Sequence, residues 1–356
     1  PVTLTVVPAQ SLAVSPSSLT FNYVLNASAP AAQTATLTSS GGSAPFTVAT
    51  KTADGGTWLQ VTPASGTTPA TLSISIVTTG LAAGTYSGTV TLSSASATQT
   101  ATVTVSMTVA AVPMPTIGVV ANAGSYAAGS VAPGENIWIS GTGLGPATLA
   151  GLQLTSTGSV ATIVSNTQVT FDGIAAPIVY VSAGQTSVMV PFEIAGRTTT
   201  TLQVSYLGVK SAGISYNVSS AVPGIYTQNS QGTGPGSILN PNYTVNGPSQ
   251  PAAAGSYVAV YLTGTGNTSP AGVTGGVIPS NGTGLKTIAL PVSATIGGLP
   301  ATVAYKGSAP GDVEGVMQVN LEIPSGLAAG AQPIVITLGS GSTTYVTQTG
   351  VTVQVQ

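Results

Sequence analysis

The sequence predicts an all-β chain folded as tandem sandwiches, and three observations point there. Thr, Ser, Asn and Gln alternate with Val, Ile, Leu and Ala along most of its 356 residues. Turn formers interrupt the alternation at short intervals, with 45 Gly and 25 Pro in the chain. Only 3% of the residues are charged, five basic and seven acidic, where an ordinary soluble domain has about 25%. Period-two alternation bounded by turn residues is the pattern of half-buried strands. Disorder is excluded, because it requires low hydrophobicity and high net charge.

The length accommodates two to three domains, each able to bury its own core. Residues 11–112 carry seven candidate strands, at 19–23, 34–38, 46–49, 58–62, 71–77, 85–92 and 98–109. Seven short strands at this spacing predict an immunoglobulin-like sandwich. Val112-Pro113-Met114-Pro115 then reads as a short stiff linker, since two prolines forbid helix and interrupt a ladder.

An internal duplication follows. Residues 170–180, TFDGIAAPIVY, align without gaps to 295–305, TIGGLPATVAY. After an eight-residue insertion, QTSVMVP at 185–191 matches QVNLEIP at 318–324, and upstream Gly141-Thr142-Gly143 matches Gly264-Thr265-Gly266. Two related immunoglobulin-like domains are expected, at 113–220 and 221–356. The whole chain is therefore read as three tandem immunoglobulin-like β-sandwich domains. Asp172-Gly173 and Gly297-Gly298 fall at equivalent points where a tight hairpin needs positive φ. Residues 227–256, rich in Gly, Asn, Pro and Ser, read as a long ordered loop or crossover.

Residues 1–10 form a fourth segment. Val2-Thr3-Leu4-Thr5-Val6 resembles Val105-Ser106-Met107-Thr108-Val109, the expected last strand of the first domain. An extra strand with Val2, Leu4 and Val6 on one face needs a partner sheet, and it is expected to be an inter-subunit strand. A start at Pro1 directly into a strand pattern is what a chain after leader removal looks like.

Spaced motifs add a resemblance. Ala123-Gly124-Ser125-Tyr126, Val131-Ala132-Pro133-Gly134, Gly141 to Pro146, Ala309-Pro310-Gly311, Gln318-Val319-Asn320 and Pro324 resemble a large family of secreted bacterial proteins. Its members share a paired immunoglobulin-like C-terminal region of uncharacterised function. The first unit is similar to the immunoglobulin-like or BACON-like repeats that precede that region, through Leu19-Thr20-Phe21, Trp58 to Val61 and Leu81 to Tyr86. The resemblance implies secretion and a cell-surface or matrix setting, and it brings no catalytic residues.

Composition excludes several functions. A net charge of −2 without a basic cluster leaves no footprint for nucleic acid. No stretch of about 18 apolar residues escapes interruption, so no transmembrane segment is expected. The chain has no Cys and no His, which removes disulfides, thiol chemistry and every Ser-His or Cys-His centre. Without His the fold is also expected to be indifferent to pH between about 5 and 8. No enzyme activity, cofactor or metal is expected.

The remaining candidates have plain readings. Glu193 and Glu322 fall in different repeats rather than across one cleft, as glycosidase carboxylates would. Asp312 and Glu314 are too few for calcium and read as a solvated loop. Gly141 to Pro146 and Gly264 to Gly266 lack the helix and Lys-Ser/Thr of a phosphate loop. Trp58 and Trp138 read as core or inter-domain packing, and four lysines are too few to favour an isopeptide cross-link. Five sequons mark Asn26, Asn217, Asn242, Asn267 and Asn281 as candidate glycosylation sites.

The leading expectation is an extracellular structural protein that assembles head to tail with itself into a filament or surface layer. Its edges have almost no Lys to protect them. The alternative is a monomeric cell-surface adhesin or carbohydrate-binding stalk whose loops, 227–256 above all, contact glycans. A third reading is a spacer from a longer surface protein.

Overall fold

The computed structural model of the chain describes residues 10–356. Contacts divide it into two compact units, Pro1–Pro113 and Met114–Gln356. In the first unit a four-stranded sheet runs Leu12–Ser15, Gln33–Ser39, Ala70–Ile76, Leu59–Thr62. It packs on a five-stranded sheet ordered Ser18–Val24, Ala101–Ala110, Gly84–Ser93, Pro45–Thr52, Ser65–Thr67. All seven expected strands are present. Leu12–Ser15 and Ser65–Thr67 are additional, too short to declare themselves by alternation.

The alternation builds the core directly. Ser18–Val24 turns Leu19, Phe21 and Tyr23 inward, and Ala101–Ala110 turns Val103, Val105, Met107 and Val109 inward. The entering chain serves both sheets, since Leu12–Ser15 pairs antiparallel with Gln33–Ser39 while Ser18–Val24 pairs parallel with Ala101–Ala110. Residues 10–110 thus form a two-sheet sandwich. Val2, Leu4 and Val6 lie outside the described residues.

The second unit holds two further sandwiches with separate hydrophobic cores. In the first repeat, Asn136–Thr142 pairs with Gln185–Met189, and in the second, Tyr257–Thr263 pairs with Met317–Glu322. The duplication read from the sequence extends to backbone irregularities. The ladder slips between Ile178 and Tyr180 in one repeat and between the equivalent Val303 and Tyr305 in the other. Both expected hairpins also form: Asp172 and Gly173 have φ of 48° and 82°, and Gly297 and Gly298 have 59° and 81°. Residues 227–256 are a crossover, placing Gly234–Pro235 beside Val351–Val355 of one sheet and Ile238–Leu239 beside Tyr257–Thr263 of the other.

The hairpins offer a clean test of backbone conformation. A Cβ at Gly298 would meet nothing within 4 Å, so Gly298→Ala changes only the cost of positive φ. The expected outcome is a loss of about 1 kcal/mol in urea unfolding of the whole chain. An unchanged midpoint would remove the hairpin from the elements that hold this sandwich.

Candidate functional site

Two of the motifs that carried the resemblance, around Gly124-Ser125 and Ala132 to Gly134, lie at the seam between the two repeats. Asn122, buried at the end of strand Thr116–Asn122, accepts from the N–H groups of Gly124 and Ser125 through Oδ1 at 2.8 and 2.9 Å. Its Nδ2 donates to Glu135 Oε1 at 2.9 Å and to the Val222 carbonyl at 2.8 Å. The other Glu135 oxygen accepts from Ala132 N–H at 2.7 Å. Gln348 reaches from the second repeat to donate to the Gly124 and Ile225 carbonyls, at 3.3 and 2.6 Å.

Thr263 of the second repeat accepts from Asn136 N–H at 2.7 Å and donates to the Gly315 carbonyl at 3.1 Å. Gly315 has φ 108°, and a Cβ there would lie 2.1 Å from the Gly134 carbonyl oxygen. The two backbones meet without side chains between them. Gly315 belongs to the eight-residue insertion, which thus adds one contact to a seam that Thr263, Val222 and Gln348 also make.

Of the two acids read as a solvated loop, Asp312 is exposed as expected, and Glu314 is not. Glu314 is buried and forms an ion pair with Lys286 at 2.6 Å, while also accepting from Val273 N–H at 2.7 Å. Lys286 donates further to the Ala271 carbonyl at 2.8 Å. Such a pair, once desolvated, tolerates the loss of either partner poorly. Among the described residues no group of three His, Cys, Asp or Glu side chains is placed to hold a metal ion.

The first repeat presents an open edge. Ala150–Gly151 ends one of its sheets and Ile163–Val164 ends the other. Between and beside them Leu149, Leu152, Leu154 and Ile163 are 66%, 40%, 57% and 58% exposed. No charged residue occurs between Glu135 and Asp172. Natural sheets usually guard such an edge with Lys, Pro or a bulge.

The other sequence candidates are scattered. All five sequon residues, Asn26, Asn217, Asn242, Asn267 and Asn281, are exposed. Trp58 is buried edge-on to Tyr86 with centroids 6.0 Å apart, and its Nε1 donates to Asp54 at 3.1 Å. Trp138 departs from a core reading: it is half-buried beside Tyr126 and donates to the exposed Gln185 at 2.9 Å. Glu193 accepts from Thr274 and Glu322 from Tyr257, so the two carboxylates have separate partners.

Glu135 overturns the expected indifference to pH. Burial pushes its carboxyl up to about 8, against the pull of hydrogen bonds from Ala132 N–H and the Asn122 amide. Between its ordinary value of 4.5 and about 8 the folded chain therefore keeps a proton that the unfolded chain has released. A folded state that binds more protons loses stability as pH rises, by at most about 1.4 kcal/mol per pH unit for one group. The contribution is complete below the unfolded value and gone above the folded one. Burial raises the Asp312 carboxyl in the same direction, so the comparison between variants isolates Glu135. Urea midpoints are expected to fall between about pH 5 and pH 8, with a distinctly flatter slope in Glu135→Gln. Equal slopes would place the titration elsewhere.

No protein-family model and no curated protein matches this chain. Solved structures with the same kind of fold do. A chimeric titin Z1Z2 is 15% identical over 59% of this chain and 97% of its own, with a TM-score of 0.27. The ICAM-5 D1–D4 ectodomain fragment is 12% identical over 96% of this chain and 76% of its own, at 0.22. The fibronectin(III)-like modules of Clostridium thermocellum CbhA are 13% identical over 58% and 92%, also at 0.22. The chain is an all-β protein of tandem immunoglobulin-like sandwiches, and likeness at this level says nothing of what it binds.

Proposed function

We propose that the chain is an extracellular structural protein whose copies join head to tail, the segment Val2 to Val6 of one seating against the open edge of the first repeat in the next. The observation that carries this reading is the uncharged edge with Leu149, Leu152, Leu154 and Ile163 exposed. Apolar patches left open on a sandwich edge are interaction surfaces or liabilities. Val2, Leu4 and Val6 supply a donor of matching apolar character.

Magnitudes agree with a joint of this kind. Covering seven aliphatic side chains yields on the order of 10 to 15 kcal/mol as an upper limit. Immobilising a second molecule costs roughly 4 to 15 kcal/mol. The strand alone would be marginal, and strand plus edge brings the gain into the range of that cost. The resemblance to secreted bacterial proteins supports secretion; among the described residues no helix is long and apolar enough to cross a membrane.

Two variants test the joint from opposite sides. One removes residues 1–9, and the other carries Leu154→Lys with Ile163→Lys on exposed positions that the fold does not need. Negative-stain imaging and light scattering are expected to show polymers for the full chain and single particles for both variants, with unchanged melting. Polymers from both variants would overturn the reading, as would a full chain that stays monomeric at high concentration.

A further inference from the structure

A second feature lies on the second repeat, away from the open edge. Strand Tyr257–Thr263 buries Val258, Val260 and Leu262, which turns Tyr257, Ala259 and Tyr261 to the outer face. Strand Met317–Glu322 lies beside it with Gln318 opposite Tyr261, Asn320 opposite Ala259 and Glu322 opposite Tyr257. Small Ala259 leaves a depression between two rings about 7 Å apart along the strand. Loops raise walls around this floor, Pro241 and Tyr243 on one side and Ser280 and Pro310 on the other. The result is an open trough of about 500 Å³.

Three details of the trough have no structural purpose. Gln318 Nε2 donates to Asn320 Oδ1 at 2.8 Å, and among the described residues Gln318 Oε1 and Asn320 Nδ2 bond to nothing. One acceptor and one donor thus stand side by side on the floor. Tyr243 is 86% exposed at the tip of a loop and holds φ 63°, a conformation that costs a non-glycine residue about 1 kcal/mol. That tip is rigidly built: Asn240 N–H donates to the Thr244 carbonyl at 2.9 Å, and its side chain donates to Thr244 Oγ1 at 3.1 Å and to the Gln250 carbonyl at 2.9 Å. An aromatic ring is presented to solvent on a strained, braced turn, with two more rings below it.

We propose that this trough binds a neutral polysaccharide, the sugar rings lying on Tyr257, Tyr261 and Tyr243 and a pair of adjacent hydroxyls meeting Gln318 and Asn320. Aromatic faces take the apolar C–H faces of a pyranose while the phenol edges stay wet. A hydroxyl both donates and accepts, which is what a free amide oxygen beside a free amide N–H requires. The charges in reach are negative. Tyr257 Oη donates to Glu322 at 3.4 Å, and burial followed by the Asp312 carboxylate holds the Tyr261 hydroxyl above its ordinary value. Uronic-acid and sulfated chains are therefore disfavoured, and the ligand is uncharged. The site stands independently of the assembly joint, since the residues of the open edge take no part in it.

The test is affinity electrophoresis of the full chain through gels containing soluble β-glucan, mannan or galactan, with alginate as the anionic control. Retardation by at least one neutral polymer and none by alginate is expected. Tyr257→Ala with Tyr261→Ala should weaken retention about tenfold or more, two stacked rings being lost. Gln318→Leu with Asn320→Leu should do the same, whereas Tyr257→Phe should retain binding, because the ring and not the hydroxyl makes the contact. Trp138→Ala, which removes an aromatic ring outside the trough, should change nothing. Melting curves confirm that each variant folds. No retardation by any neutral polymer, retardation by alginate alone, or retention that survives both double substitutions would overturn the proposal.

Discussion

Asn122 makes four hydrogen bonds from one buried side chain, and the seam of the second unit depends on their direction. Its Oδ1 receives two backbone N–H groups, so the amide nitrogen has to face the other way, toward Glu135 and the Val222 carbonyl. Glu135 in turn holds Ala132 N–H, fixing the turn that places Gly134 against Gly315. A Cβ at Gly224 would fall 2.0 Å from Asn122 Oδ1, which explains a glycine there without any ligand. Buried polar groups of this kind specify one docking geometry only if all of them are satisfied. The two repeats of the second unit consequently behave as one compact body rather than as beads.

This seam also explains what could and could not be read from the sequence. Strands declared themselves by alternation, as at Leu19, Phe21 and Tyr23, and the hairpins at Asp172-Gly173 and Gly297-Gly298 by residues that accept positive φ. The duplicated TFDGIAAPIVY and TIGGLPATVAY segments even carried the ladder slip before Tyr180 and Tyr305. Burial of charge was not legible. Glu135 and Glu314 look like any acids beside glycine and proline; the seam between the repeats encloses Glu135, while Val273 and Lys286 of its own repeat fold over Glu314. The expectations of a solvated Glu314 and a pH-indifferent fold failed because tertiary contacts bury both carboxyls.

The trough was legible in part. Residues 227–256 stood out as turn-rich, and the crossover they form does raise one wall. Its floor was invisible, because Tyr257, Tyr261, Gln318 and Asn320 come from strands 60 residues apart in sequence. In a strand pattern an outward Tyr reads simply as the polar phase of the alternation. Nothing local distinguishes Tyr257 from Tyr216, which is half-buried in another strand of the same unit. Register is what gathers them, and register follows from which strands the duplication pairs.

The shortage of charge acquires a sharper meaning once its placement is known. Of five basic and seven acidic side chains, Lys286 and Glu314 are tied to each other out of water, Glu135 is sealed in the seam, and Arg197 is paired with Asp172. Lys51, Lys210, Asp54, Asp312 and Glu193 are exposed elsewhere, and no ion lies on the edge formed by residues 149–164. A protein kept apart from its own copies by charge would place Lys or Glu there first, because edges are where sheets add to one another. Here residues 149–164 carry neither. A seam that joins the repeats tightly and an edge left unguarded are the two features that the proposed addition of one copy to the next would use.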